Sequence, residues 1–421
     1  MCSYDERKAQ PRETIEAVIF FDGTGNNRKN VKTGSNVQDA KGSYASGYSN
    51  IAKMEWLCQP KVLQSGRYDH FFKIYVEGIG TENDGADETW DLATGCGSAG
   101  VREKVRKCFD STIEQIDNFV KSRKISYIHI WAFGFSRGAA AARLYAFNIL
   151  KNEGQTLKEN LISRGYYVET VCIKFIGLFD TVASLGVKHS NDTLDLHLDG
   201  ISAADRVVQL AAAEEHRQNF RLTNIASAKS KGLQIFLPGA HSDVGGGYRD
   251  TEDELNWQVF DLDKFVAISE AAKCALQRER DWLSNLGWYK PAELENTNFW
   301  NEIVANRRSI NGDYSRIPLY LMMEYAESSG CAFNKDKLHA DYPIPDGLLE
   351  VFTQIRSYIT AVGTHSHPSD FWAPMCRFLS DAPKLRHDYL HFSARYGGTN
   401  GPQWTNDDPI NGRRERVIQD G

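Results

Sequence analysis

Short apolar runs that end in loops rich in glycine and aspartate recur through the first part of the chain. The runs lie at residues 17–21, 71–76, 127–133, 172–179 and 233–237. Their β-branched and aromatic side chains are typical of buried strands. Stretches with helical character lie at 101–120, 139–147 and 203–217. Strands that alternate with helices predict a mostly parallel central sheet flanked by helices, with a site at the carboxyl ends of its strands.

The pattern changes after residue 250, where helix-like stretches lie at 262–286, 318–328 and 347–362. This part is rich in aromatic side chains, namely Trp257, Trp282, Trp288, Tyr289, Phe299, Trp300, Phe371 and Trp372. We therefore predict a catalytic core over residues 15–250, followed over residues 251–421 by a helical, aromatic-rich cap or by additional layers of the same domain. Aromatic rings in a cap would suit a lipid interface, but ordinary core packing explains them equally well.

A Gly-Phe-Ser-Arg-Gly motif at residues 134–138 lies between a predicted strand and a helix that begins with four alanines. Strand, Gly-x-Ser-x-Gly and helix together are typical of the nucleophile elbow of an α/β-hydrolase. The glycines permit a sharp turn that is expected to hold Ser136 at its tip with the hydroxyl exposed. The motif thus predicts an α/β-hydrolase-like fold with Ser136 as the nucleophile.

A serine hydroxyl becomes a good nucleophile when a base takes its proton and an acid orients that base. In α/β-hydrolases these residues follow the order serine, acid, histidine, and each lies on a loop after a strand. Ser136, Asp180 and His241 have this order and this placement. They are the predicted catalytic residues.

Other residues compete for two of these roles. His391 is the strongest rival base, because many hydrolases place their histidine near the C-terminus. Asp243 and Asp22 compete with Asp180, and an aspartate at a strand end also often caps a helix or forms a turn. We favour His241 over His391 because it lies in a glycine-rich loop directly after a strand.

An oxyanion hole needs backbone N–H groups that point at the developing negative charge. We predict one donor at Arg137, which follows the nucleophile, and the other at Gly23 or Thr24, in the loop after the first strand. A simple tight turn also explains this loop. A phosphate-binding loop is the weaker interpretation, because neither common glycine-rich phosphate motif is present there.

Composition excludes several classes of protein. The chain has 421 residues and a net charge of −6, and its densest basic stretch, at 413–416, is interrupted by a glutamate. A nucleic-acid partner is therefore not expected. The N-terminus lacks the apolar core of a signal peptide, and no apolar run reaches the length of a membrane span, so we expect synthesis and folding in a cytoplasm. The eight scattered cysteines argue against a disulfide framework and a zinc site.

One acidic stretch is a candidate cation site. It contains Glu77, Asp84, Asp87, Glu88 and Asp91, whose oxygen atoms would suit Ca²⁺. A solvated acidic loop is the commoner explanation, and the spacing does not fit an EF-hand. We predict that the chain uses no cofactor and no metal.

Five motifs occur in a fixed order over residues 15–250. They are Asp-Gly-Thr-Gly at 22–25, Glu-Gly-Ile-Gly-Thr at 77–81, Gly-Phe-Ser-Arg-Gly at 134–138, Phe-Asp-Thr-Val at 179–182 and Gly-Ala-His-Ser-Asp-Val-Gly-Gly at 239–246. Together they resemble the α/β-hydrolase domain family that includes the first family of type VI secretion lipase effectors. Glu215, His216 and Arg217, with Phe220 and Arg221 after them, are also similar to that family.

The resemblance implies a phospholipase of the A1 or A2 type, with Ser136 as nucleophile, Asp180 as acid and His241 as base. Its substrate would be the phospholipid of a membrane. An antibacterial effector of this kind is made in the bacterial cytoplasm and delivered by type VI secretion to the periplasm of a target cell. A spike protein as carrier and a periplasmic immunity protein as inhibitor are the partners that the resemblance implies.

Two other classes of function stay open. One is a serine esterase or thioesterase that acts on a soluble substrate, which a panel of substrates would distinguish from a lipase. The other is a non-catalytic binding protein built on a hydrolase scaffold. The presence of all three candidate residues argues against the binding protein, and a covalent serine probe would test it.

Overall fold

The computed structural model of the chain describes residues 12–34, 42–44, 46–60, 68–81, 100–185, 190–191, 196–217, 219–261, 270–297, 302–362, 379–395 and 416–421. At its centre lies a six-stranded sheet. The strands are β1 (Glu13–Phe21), β2 (His70–Val76), β3 (Lys124–Phe135), β4 (Tyr167–Phe179), β5 (Val207–Ala212) and β6 (Gly232–Leu237). They pair in the order β2-β1-β3-β4-β5-β6, and every pair is parallel. The predicted parallel sheet is confirmed.

Side chains of the central strands alternate between the two faces of the sheet, as the pleat of a strand requires. In β1, Val18 and Phe20 join the hydrophobic core on one face, while Ala17 and Ile19 join the core on the other. All four side chains are fully buried. Both faces of the sheet are therefore covered, which explains why its strands are continuous apolar runs.

Helices cover the two faces of this sheet. Those before residue 250 are α1 (Arg28–Gly34), α2 (Asn50–Leu57), α3 (Val101–Phe119), α4 (Arg137–Leu150), α5 (Leu157–Ser163) and α6 (His241–Gly245). Those that follow are α7 (Glu270–Asn285), α8 (Arg316–Ser328), α9 (Lys335–Asp341), α10 (Asp346–Val362) and α11 (Ala382–Tyr389). Helices α3, α4 and α5 pack on one face, and α2 and α8 pack on the other. None of the helices in the described ranges is long and apolar enough to cross a membrane.

One predicted helix is a strand. Residues 203–217 were expected to be helical, but they contain β5, which lies between β4 and β6. All six residues of β5 are buried, and its one polar side chain, Gln209, donates to Gln234 Oε1 (2.8 Å) and to the carbonyl oxygen of Thr223 (3.0 Å). Pairing with two neighbouring strands overrides the local helical pattern.

The helices predicted after residue 250 are present as α7, α8 and α10, but this part of the chain also contains strands that were not predicted. It contains an antiparallel sheet of β7 (Thr251–Asp261), β8 (Leu294–Thr297) and β9 (Glu302–Asn311), in the order β7-β9-β8. Register shifts interrupt the β7–β9 pairing, so β7 lacks the regular alternation by which a strand is recognised. A buried ion pair between Glu254 and Arg307 (2.9 Å) joins these two strands.

Residues after 250 also complete the core of the central sheet. Leu319 and Met322 of α8 belong to the same buried cluster as Phe20 and Phe133. Trp288 and Tyr289 are fully buried as well, so these two aromatic rings pack internally and do not face a bilayer. Phe299, Trp300, Phe371 and Trp372 lie outside the described residues. The choice between a cap and additional layers of the same domain, and the boundary at residue 250, stay predictions.

Candidate active site

The turn between β3 and α4 has the backbone of a nucleophile elbow. Ser136 lies at its tip with φ 60° and ψ −129°, a strained conformation for a residue with a side chain. Gly138 passes so close to β1 that a Cβ atom there would lie 2.2 Å from the carbonyl oxygen of Asp22. The second glycine of the motif is therefore required by the close approach of two backbones.

Backbone hydrogen bonds tie the elbow to the loop after β4. The Ser136 N–H donates to the Phe179 carbonyl oxygen (3.0 Å), and the Val182 N–H donates to the Ser136 carbonyl oxygen (3.3 Å). These bonds place Ser136 beside Asp180. Contrary to the expectation of an exposed hydroxyl, Ser136 is only 4% exposed.

Asp180 and His241 form a buried pair across the ends of β4 and β6. The distance between Asp180 Oδ2 and His241 Nδ1 is 2.5 Å, and an ionised carboxylate makes Nδ1 the donor. The second carboxylate oxygen of Asp180 accepts the N–H of Ala212 (2.8 Å). This geometry fixes the tautomer of His241 with Nε2 unprotonated, which is the form that a general base needs.

Phe135 connects the elbow with the other two loops of the site. Its ring centroid lies 4.6 Å from that of His241. The ring also packs against Gly23 and Gly245, where added Cβ atoms would lie 2.4 Å and 2.0 Å from it. The loops after β1, β3 and β6 thus converge on one aromatic ring. Within the described residues, Ser136 and His241 are not joined by a hydrogen bond, although such bonds often form only with substrate in place.

Burial and neighbouring charges shift the pKa values of Asp180 and His241. Burial alone would raise the pKa of Asp180, but the charge of Arg416 and the hydrogen bond from His241 outweigh it, and the net effect lowers this pKa. Burial lowers the pKa of His241, and the Asp180 carboxylate offsets part of that effect. His241 is therefore neutral, and available as a base, at neutral pH.

Arg416 is a residue of the site that sequence reasoning missed. Its guanidinium forms a bidentate ion pair with Asp180, with Nη1 at 2.5 Å from Oδ1 and Nη2 at 2.9 Å from Oδ2. Both side chains are fully buried. Nothing in the sequence signals this contact, because Arg416 lies in a basic stretch 236 residues after Asp180.

Glu215 and Arg217 form a second buried ion pair beside His241. Arg217 donates to both carboxylate oxygens of Glu215 at 2.9 Å, and its guanidinium lies 3.4 Å from the centroid of the Phe220 ring. Glu215 Oε2 also accepts the His241 N–H (3.2 Å). Although burial opposes it, Arg217 lowers the pKa of Glu215 well below its usual range. The similarity of residues 215–217 to the effector family was the one signal for this pair.

The two predicted oxyanion donors of the loop after β1 differ in their contacts. The Gly23 N–H donates to Asp22 Oδ1 (2.7 Å) and is therefore occupied. The Thr24 N–H makes no hydrogen bond with any described residue, which makes Thr24 the better placed of the two. Arg137, the other predicted donor, is the first residue of α4. Burial raises the pKa of Asp22 to about 6.

The rival base has a carboxylate partner of its own. His391 Nδ1 lies 2.8 Å from Asp243 Oδ1, and the His391 N–H donates to Asp243 Oδ2 (3.1 Å). The imidazole stacks on the Tyr248 ring with centroids 3.6 Å apart. Its Nε2 is buried and contacts no partner among the described residues. Two Asp–His pairs thus lie in this region. The pair that contains His241 is the one in contact with Phe135 of the elbow.

The candidate cation site is only partly described. Glu77 accepts a hydrogen bond from Lys104 Nζ (2.7 Å), whereas Asp84, Asp87, Glu88 and Asp91 lie outside the described residues. In the part of the chain that the structure describes, no group of three or more acidic, histidine or cysteine side chains could hold a metal ion.

Comparison with known proteins places this site in a family. The model of the phospholipase effector Tle1-like catalytic domain of type VI secretion matches residues 16–161 and 150–270, which is more than half of the chain. The chain belongs to the Tle1-like family of type VI secretion phospholipase effectors. The matched residues of this Tle1-like protein include the elbow, the Asp180–His241 pair and the loop after β1.

A solved structure of a type VI effector shows the same fold. The structure of the Tle1 effector bound to the VgrG spike from the type 6 secretion system is 22% identical, covers 98% of this chain and 95% of that chain, and superposes with a TM-score of 0.66. An uncharacterized protein from Pseudomonas aeruginosa is 17% identical over 87% of this chain and 53% of its own, with a TM-score of 0.47. No curated protein matches the chain.

Proposed function

We propose that this Tle1-like protein is a serine-dependent phospholipase of the A1 or A2 type that hydrolyses membrane glycerophospholipids. The observation that carries the proposal is the buried Asp180–His241 pair (2.5 Å), which lies against the elbow that presents Ser136. A serine, an oriented imidazole and a carboxylate are the parts that acyl transfer requires. The family match supports phospholipids as the substrate class.

In the first half of the reaction, Ser136 Oγ attacks the carbonyl carbon of an acyl ester. Its proton passes to Nε2 of His241, and Asp180 stabilises the imidazolium that forms. The N–H groups of Arg137 and Thr24 hold the oxyanion of the tetrahedral intermediate. When the intermediate collapses, the ester C–O bond breaks and His241 returns the proton to the leaving lysophospholipid.

In the second half, water releases the acyl group from Ser136. His241 takes a proton from the water, whose oxygen attacks the acyl-enzyme carbonyl, and the same two N–H groups hold the new oxyanion. Collapse of this intermediate frees the fatty acid, and His241 gives its proton back to Ser136 Oγ.

Release of fatty acid from vesicles of phosphatidylethanolamine and phosphatidylglycerol tests this function directly. We expect release that depends on the protein and persists in the presence of a chelator, measured beside a sample with calcium. Absence of release, combined with labelling of Ser136 by a fluorophosphonate, would contradict the phospholipase and leave a serine hydrolase with another substrate. Absence of both would favour a binding protein.

Replacing each of the two histidines in turn tests which Asp–His pair contains the catalytic base. We expect His241→Gln to lower kcat by at least about 1,000-fold, since it removes the base. His391→Gln should change kcat by less than about tenfold. The His391 ring is oriented by Asp243, and among the described contacts it is the His241 ring that packs against Phe135 of the elbow. The measurement is fatty acid release by the two variants at equal concentration of folded protein. The reverse ranking would make His391 the base.

We also propose how the protein reaches its substrate. By likeness to the Tle1 effector that is bound to the VgrG spike, a spike protein would carry this chain to the periplasm of a target cell, and an immunity protein would protect the producer. Co-elution of the chain with the spike protein of the same bacterium tests the first step. Failure of the two purified proteins to associate would exclude direct docking on that spike.

A further inference from the structure

We infer that Arg416, held by the C-terminal segment 416–421, is a positioning residue of the catalytic acid Asp180. The inference rests on the proposed function, because it assigns Asp180 the role of acid. It adds a residue from the far end of the chain to the catalytic unit. The segment would then be required for catalysis.

All three nitrogen atoms of the Arg416 guanidinium donate hydrogen bonds within the site. Besides the two bonds to Asp180, Nη1 donates to the Ala212 carbonyl oxygen (2.9 Å). Nη2 and Nε donate to the Phe220 carbonyl oxygen at 2.6 Å and 3.0 Å. Arg416 is 2% exposed. These five hydrogen bonds fix its position, and the fixed planar guanidinium imposes one orientation on a carboxylate.

The last residues of the chain hold Arg416 in this place. Ile418 and Gln419 pair in parallel with Leu222 and Thr223. The Leu222 N–H donates to the Val417 carbonyl oxygen (3.0 Å), next to Arg416. The segment is thus hydrogen-bonded to the stretch that follows β5.

The charges around Asp180 explain what Arg416 does for the reaction. Asp180 is faced by Arg416 from the C-terminal segment, by His241 from α6, and by Arg217 with its partner Glu215 from the stretch after β5. A fully buried carboxylate without a counter-charge tends to take up a proton. A protonated or rotated Asp180 would no longer fix His241 with Nε2 free.

The test compares Arg416→Gln and Arg416→Lys in the full chain with a matched control, Arg143→Lys. Arg143 is also fully buried, and it donates to the carbonyl oxygen of Asn224 beside the same C-terminal segment, but it does not contact Asp180. The readouts are kcat, KM and the pH profile of fatty acid release, with thermal melting as a measure of folding. Arg416→Lys keeps a positive charge and serves if Arg416→Gln does not fold.

We expect Arg416→Gln to lower kcat by about 100-fold with little change in KM, since misorientation of a catalytic group by about 1 Å costs this much. The acid limb of the pH profile should move to higher pH, because Asp180 loses the charge that keeps it ionised. Arg416→Lys should retain intermediate activity. Millimolar guanidinium should partly restore Arg416→Ala, whereas urea, of similar shape and no charge, should not.

A purely structural role would give a different result. If Arg416→Gln and Arg416→Lys lose no more activity than Arg143→Lys and keep the wild-type acid limb, and if guanidinium does not restore Arg416→Ala, the inference is wrong. Failure of this inference can be distinguished from failure of the proposed function. If only the inference is wrong, Ser136→Ala still loses fatty acid release. If the proposed function is wrong, Ser136→Ala keeps wild-type fatty acid release.

Discussion

Ser136→Ala is expected to lower kcat for phospholipid hydrolysis by at least about 1,000-fold. The hydroxyl is the proposed nucleophile, and the remaining oxyanion donors and binding contacts cannot replace the covalent step. The fold should be retained, because the hydrogen bonds that tie Ser136 to Phe179 and Val182 use backbone atoms that alanine also has. Thermal melting and fatty acid release measure the two effects separately.

A matched serine variant controls for the substitution itself. Ser163→Ala removes an exposed hydroxyl at the end of α5, whose only described bond is to the Asn160 carbonyl oxygen, and it should keep wild-type activity. Fluorophosphonate should label Ser163→Ala and fail to label Ser136→Ala. Wild-type hydrolysis by a well-folded Ser136→Ala protein would remove Ser136 from the mechanism.

Asp180→Asn is also expected to have a large effect, a loss of about 10,000-fold in kcat. An amide at this position no longer stabilises the imidazolium of His241 and presents an N–H group where an acceptor is needed. Unlike Ser136→Ala, this variant should also be less stable, by about 3–5 kcal/mol, because it leaves the buried charge of Arg416 without its partner. Denaturant unfolding measures the free energy, and single-turnover assays measure the rate.

The sign of the pH effect separates Asp180→Asn from the Arg416 variants. The Asp180 carboxylate raises the pKa of His241, so its removal should lower that pKa and move the acid limb of activity to lower pH. Arg416→Gln should move the limb to higher pH. A double variant, Asp180→Asn with Arg416→Gln, removes both buried charges and should recover part of the lost stability without recovering activity. Equal shifts in one direction would contradict this account of the charges.

Local sequence determined the parts of the protein that depend on near neighbours. The apolar runs at 17–21, 127–133 and 172–179 became the central strands, because a strand buried on both faces must be apolar on both. The motif at 134–138 became the elbow, because only glycine permits the backbone approach at Gly138. In the sequence, Asp180 and His241 each follow a strand. Because the carboxyl ends of parallel strands lie at one edge of the sheet, the two side chains meet there.

Tertiary structure decided what depends on distant residues. The stretch 203–217 has helical character, and it forms β5 because two strands offer it hydrogen bonds and burial. Glu215 and Arg217 lie beside His241, and Arg416 contacts Asp180, only after the chain has folded. A buried carboxylate needs a counter-charge, but that requirement does not specify which of the 49 lysines and arginines supplies it. Packing of the C-terminal segment against the stretch after β5 places Arg416 beside Asp180.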